Sequence, residues 1–179
     1  MSDPDLPRLR ATLMALFPPP AAVRLVLSVG CGSFPTAGPL RRLFPAAMLV
    51  GIDHSLDDLR AGRGRWGVAD VRLIGGDAAR MPLAGMARFD LILIRHPDVD
   101  RHPERWRQVC RALPRVLSPG GRVLVSCYAA HEMAAIRAGL IAGGAKPLPA
   151  RLSLAPVDLI GQDRWLVGFM CEPASGRPD

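Results

Sequence analysis

Several things are missing from this 179-residue chain. It has 23 basic residues but a single lysine, Lys146, and no five basic residues run together. The formal charge of +7 therefore comes from scattered arginines, not from a basic arm or tail. A nucleic-acid surface needs its charge gathered on one face, so this charge lends little weight to an RNA partner. No apolar run approaches the ~20 residues that a membrane-crossing helix needs. The opening "MSDPDLPRLR" is acidic and carries prolines, unlike a secretion signal. The four cysteines, Cys31, Cys110, Cys127 and Cys171, include no Cys-x-x-Cys pair. That argues against a zinc knuckle or a dithiol redox site and suits a reducing compartment. The expectation is a soluble, cytoplasmic protein with no membrane partner.

What is abundant is apolar material, 49% of the residues. A chain of this length folded as one domain buries about 70% of its unfolded surface. Leu6, Leu9, Leu13, Leu16 and Phe17 recur at helical spacing, and Pro18–Pro20 ends that pattern. Residues 1–20 are thus expected to form a helix that packs on the core. The domain proper spans 21–171, and the polar tail 172–179 is expected to be disordered. Within the domain, "VRLVLSVG", "AMLVGID", "VRLIGGD", "FDLILIR" and "GRVLVSCY" read as strands. "AGPLRRLF", "SLDDLRAGRGRW", "PERWRQVCRALPRVLSPGG" and "HEMAAIRAGLIAGGA" read as the helices between them, the third kinked at Pro114. "ARLSLAP" and "DRWLVGFM" complete the strands. The strands are continuous apolar runs alternating with helices, which points to a parallel sheet covered on both faces.

Ligands of such sheets lie beyond the carboxyl ends of the strands. Those ends here are Gly30-Cys31-Gly32, Asp53-His54, Asp77-Ala78 and Arg95-His96-Pro97. Asp53 is placed to accept hydrogen bonds from both hydroxyls of a ribose. Asp77 is placed to accept one from an exocyclic amine. Gly30 and Gly32 let a ligand approach the main chain. Each aspartate could equally cap the turn that follows it; together, in this order, they describe an adenosine site. A dinucleotide is disfavoured, because the third glycine of Gly-x-Gly-x-x-Gly would fall at Pro35, which has no N–H for a phosphate.

The segments "VLSVGCGSFP", "LVGIDHS", "LIGGDAARMPL", "RFDLILIRHPD" and "LPRVLSPGGRVLVS" resemble, in order and spacing, successive motifs of class I S-adenosylmethionine-dependent methyltransferases. The resemblance covers roughly residues 24 to 128. It implies an α/β, Rossmann-like fold: a seven-stranded, mostly parallel sheet with an antiparallel last strand and helices on both faces. It implies S-adenosylmethionine as cofactor, and Gly30, Cys31 and Gly32 beside its methionine part and ribose. Asp53 with His54 would hold the ribose, Asp77 with Ala78 the adenine, and Arg95 would border the site. The chain departs from the family at Ser28, usually an acid, and at Phe34, often a glycine. Phe34 either packs over the cofactor or turns into the core.

On the acceptor side, His96 is the candidate catalytic residue, a proton acceptor with an unperturbed pKa of ~6.5; the alternative is a packing role. His96, Asp98, Asp100 and His102 superficially suggest a metal, but Arg95 and Arg101 stand among them and no metal is expected. Asp100 is instead expected to cap the next helix, with Pro103 in its first turn. Tyr128 either lines the acceptor pocket or is an ordinary core or surface residue. The reading is a methyltransferase whose acceptor is a small molecule before a nucleic acid, with a homo-oligomer left open. Its rivals are an RNA methyltransferase and a non-catalytic binding protein of the same fold.

Overall fold

The computed structural model describes residues 9–11, 13–14, 23–66, 71–81, 83, 88–148 and 165–170. In chain order the elements are β1 (Leu25–Val29), α1 (Ala37–Leu43), β2 (Met48–Asp53), α2 (Leu56–Trp66) and β3 (Val71–Gly75). They continue with β4 (Phe89–Arg95), α3 (Pro103–Ala112), β5 (Leu117–Cys127), α4 (Ala130–Ala142), β6 (Lys146–Pro147) and β7 (Trp165–Met170). Short 3-10 turns cover Ala78–Arg80 and Leu113–Val116. The sheet order is β3-β2-β1-β4-β5-β7-β6. β1 to β5 pair in parallel, while β7 runs antiparallel to both β5 and β6.

Why the strands read as unbroken apolar runs is visible in the core. Successive side chains of a strand point to opposite faces, and both faces are covered. Leu27, Val29, Ile92, Ile94, Val123 and Val125 join Val109, Leu113, Ile136 and Leu140 of the α3–α4 side. Val26, Leu49, Leu91, Leu93 and Leu124 join Leu40, Leu59 and the helical residues Leu9 and Leu13 on the other side. Leu9 and Leu13 belong to the described part of the expected N-terminal helix, whose residues 9–11 and 13–14 are helical. The parts of that helix outside 9–14, the expected strand at 150–156 and the tail at 172–179 lie outside the described residues.

Three local readings change. The expected third helix does not continue through a kink at Pro114. α3 ends at Ala112, and Pro114 sits in the first turn of a 3-10 segment, because proline lacks an N–H and its ring clashes with the preceding helical turn. The cap of α3 is His102, with Pro103 at its first position; Asp100 instead meets His131 Nε2 at 3.0 Å. The strand β6 at Lys146–Pro147 is too short to carry a sequence pattern.

The crossing point at β1 is fixed from below. Asp90, second residue of β4, accepts from the amides of Arg24 and Leu25 at 2.7 and 3.0 Å. This locks the start of β1 to β4, so their carboxyl ends emerge side by side.

Candidate active site

β1 ends in a turn whose backbone is left-handed at Gly30, φ +64°, a conformation glycine adopts without steric cost. Its amide donates to the Ile52 carbonyl at 2.9 Å, which ties the turn to the end of β2. There Asp53, 9% exposed, accepts from the Gly32 amide at 2.7 Å and from the Ser55 amide at 2.8 Å. The carboxylate is therefore both a structural tie and an acceptor with lone pairs remaining. Ser55 accepts from the Asp58 amide at 3.3 Å, so it caps α2 as its residue type suggests.

At the end of β3, Asp77 caps the short 3-10 turn by accepting from the Ala79 amide at 3.0 Å. Arg105 of α3 reaches across to it, Nε 3.3 Å from Oδ1 and a terminal nitrogen 3.4 Å from Oδ2. The Ala79 N–H, with help from the Arg105 guanidinium, holds the Asp77 carboxyl below its ordinary value.

These strand ends open on one cavity of about 170 Å³. Gly30, Asp53, Asp77 and Ala78 line it, together with His54, Arg95 and His96. His54 is mostly exposed, with Nδ1 3.4 Å from Asp53 Oδ1. Gly32 and Cys31 are not among the residues that line the cavity. Gly32 spends its amide on Asp53. The Cys31 side chain is buried, close to where a Cβ on Gly51 would lie, and burial pushes its thiol up to about 12. Phe34 turns inward and is fully buried, and Ser28 is buried without lining the cavity.

Another wall of the cavity is α3 with the loop before it. His96 has φ +50°, its amide donates to the Ser126 carbonyl at 2.9 Å, and its ring stacks on Tyr128 with centroids 4.3 Å apart. Asp98 accepts from Trp106 Nε1 at 2.7 Å and lies 3.6 Å from His102 Nε2. Among the described residues no three histidine, cysteine or acidic side chains gather as a metal site. Arg105 and Trp106 also line the cavity, and nothing in the sequence pattern marks them as site residues. Both lie on a helix whose spacing marks an apolar face but not what its edge touches.

A family model described as a methyltransferase domain matches residues 26–121, more than half of the chain. A fatty-acid O-methyltransferase from Mycolicibacterium smegmatis is 32% identical over 99 residues, covering 55% of this chain and 35% of that protein. The chain thus spans about a third of the length of this curated relative. The solved N-methyltransferase NodS from Bradyrhizobium japonicum superposes with a TM-score of 0.73 at 17% identity, over 96% of this chain and 99% of that one. CalS10 from Micromonospora echinaspora, an amino pentose methyltransferase solved with S-adenosylmethionine bound, gives 0.69 at 15% identity, over 93% and 89%. At these identities the two structures share the fold; the family match, which spans the glycine turn and both strand-end aspartates, carries more. The chain belongs to the methyltransferase-domain family, the class I, Rossmann-like enzymes whose cofactor is S-adenosylmethionine.

Proposed function

We infer that this chain transfers the methyl group of S-adenosylmethionine to a small-molecule acceptor entering beside the carboxyl end of β4. The observation that carries this reading is the convergence of Asp53 and Asp77, from neighbouring strands, on one cavity. The cofactor, when bound, supplies an electrophilic methyl on a sulfonium. The nucleoside half fits the residues present. Asp53 keeps lone pairs for the ribose hydroxyls beyond its bonds to Gly32 and Ser55. Asp77 Oδ2, which receives a long contact from Arg105, has capacity for the adenine amine.

The acceptor side supports a small molecule. The wall there is a cluster of side chains, His96, His102 and Trp106, on a compact helix and loop. A relative named for a fatty-acid acceptor and a fold neighbour named for an amino pentose fit a small molecule. Most of the catalysis expected here is positioning, which can supply ~7–11 kcal/mol of the barrier. His96 is the proposed proton acceptor for an acceptor hydroxyl or amine. Cys31 and Cys110, buried as free thiols, suit the reducing, cytoplasmic setting that the reading includes.

The experiment is transfer from methyl-labelled S-adenosylmethionine to a panel of fatty acids, amino sugars and RNA. Label on a small molecule is expected. Label on RNA, with binding that falls steeply in salt, would replace the acceptor class. Cofactor binding with no transfer to any acceptor would favour the non-catalytic rival. On the acceptor that is found, His96→Gln should lower kcat about 10²-fold and remove one limb of the pH–rate profile. An unaltered profile would contradict the proton role.

A further inference from the structure

Trp106 stands between two spaces. On one side it lines the nucleoside cavity; on the other it lines a groove of about 410 Å³ between α3 and α4, beside Val99, Ile136 and Gly139. Its indole is tethered, with Nε1 donating to Asp98 Oδ1 at 2.7 Å. Asp98 is in turn fixed by its loop, its carbonyl accepting from the Arg101 and His102 amides at 3.1 Å each.

The ring reaches over the glycine turn. A Cβ built on Gly30 would lie 3.6 Å from Cη2 of Trp106. With a carbon–carbon bond of about 1.5 Å, that puts the ring within about 5 Å of Gly30 Cα. A ligand carbon lying between them needs ~3.5–4.0 Å from each, so none fits until the ring moves by about 2 Å or more. With adenine at Asp77 and ribose at Asp53, the 5′ substituent of a nucleoside faces this turn. The cavity, at about 170 Å³, is also smaller than the roughly 300–1,000 Å³ usual for sites that hold ligands of drug size.

We propose that Trp106 is a gate that distinguishes adenosyl ligands by their 5′ substituent. Adenosine binds with the indole in place. A ligand carrying the homocysteine or methionine chain breaks the Trp106–Asp98 hydrogen bond and drives the indole toward the α3–α4 groove. The gate rests on the adenosine-site reading above. Its thermodynamic signature follows from population: the apparent affinity of the long ligand is scaled down by the fraction of molecules with the gate open. Loosening the tether raises that fraction and leaves adenosine unaffected, since adenosine has no differential interaction with the two states.

The test is titration calorimetry of adenosine and of S-adenosylhomocysteine on the parent chain, Asp98→Ala and Trp106→Ala; alanine, unlike asparagine, leaves the indole N–H no acceptor at position 98. Alongside it, the ¹⁵N-labelled indole N–H signal of Trp106 is followed, assigned by its loss in Trp106→Phe. Both substitutions should raise the affinity for S-adenosylhomocysteine relative to that for adenosine about tenfold. The indole signal should shift with S-adenosylhomocysteine and not with adenosine. The gate is overturned if Trp106→Ala weakens S-adenosylhomocysteine, if both ligands change alike, or if the indole responds equally to both. Should neither ligand bind at millimolar concentration, the adenosine site fails and the gate with it. Adenosine binding without the selective change sinks the gate alone. Asp98→Ala retains the indole and both strand-end carboxylates while removing the acceptor of the tether, so it decides the question even if Trp106→Ala does not fold.

Discussion

Phe34 has φ +56°, a left-handed backbone that is uncommon for a bulky residue, yet its ring is fully buried. The position is held because its amide donates to the Cys31 carbonyl at 2.8 Å and its carbonyl accepts from Ala37 at 3.0 Å, which closes the turn into α1. Room for the ring comes from Gly51 in the middle of β2. A Cβ there would lie 2.7 Å from Cys31 Sγ, 2.8 Å from Leu73 Cδ2 and 3.1 Å from Phe34 Cδ1. Gly51→Ala should therefore destabilise the chain by ~1–3 kcal/mol through overpacking. Phe34→Ala should cost roughly 3–5 kcal/mol, somewhat offset by relief of bulk at the strained turn. Denaturant unfolding of the two variants measures both; a neutral Phe34→Ala would mean that the ring is not a core residue. The sequence left Phe34 open between cofactor and core. Its fate depends on Gly51, 17 residues away, and nothing in the local pattern ties the two together. Asp53 and Asp77, by contrast, were legible because strand ends announce themselves by where an apolar run stops.

α3 shows where sequence patterning succeeds and where it stops. Val109, Cys110 and Leu113 recur at helical spacing and all are buried, so its inner face was readable. Its edge was not. Arg105 looks like one more solvated arginine until the fold brings it to Asp77, 28 residues earlier, and so couples the helix to the turn after β3. The lowered Asp77 carboxyl owes most to the Ala79 amide and less to Arg105. Arg105→Met should thus raise that carboxyl partway toward its ordinary ~3.9, not fully. Because the folded value lies below the unfolded one, the stability it confers is fully present above pH ~3.9 and is lost as pH falls through the folded value. An NMR titration of the Asp77 side chain checks this; an unchanged midpoint in Arg105→Met would remove the coupling. The loop between β4 and α3 holds the missed cap. Asp100 has a capping residue's chemistry, but His131 from α4 engages it, a long-range partner that no local rule supplies.

The architecture of the molecule was the most legible feature, because five motifs in fixed order encode five strands, and continuous apolar runs require helices on both faces. The closing β6–β7 pair was less so. β6 is two residues long and pairs with β7 from outside, so tertiary pairing creates it. Topology also explains why the site lies where it does. The order β3-β2-β1-β4 reverses chain direction of growth at β1, and the crevice between the ends of β1 and β4 is the natural ligand position. Asp53 and Asp77 come from the two strands on one side of that crevice, His96 from the strand on the other. The most direct test is a crystal structure of the chain with S-adenosylhomocysteine. The expected result is the adenine amine within about 3.2 Å of the Asp77 carboxylate and both ribose hydroxyls bonded to Asp53. An adenosyl group bound elsewhere, or ribose held by other residues while Asp53 serves only Gly32 and Ser55, would contradict it.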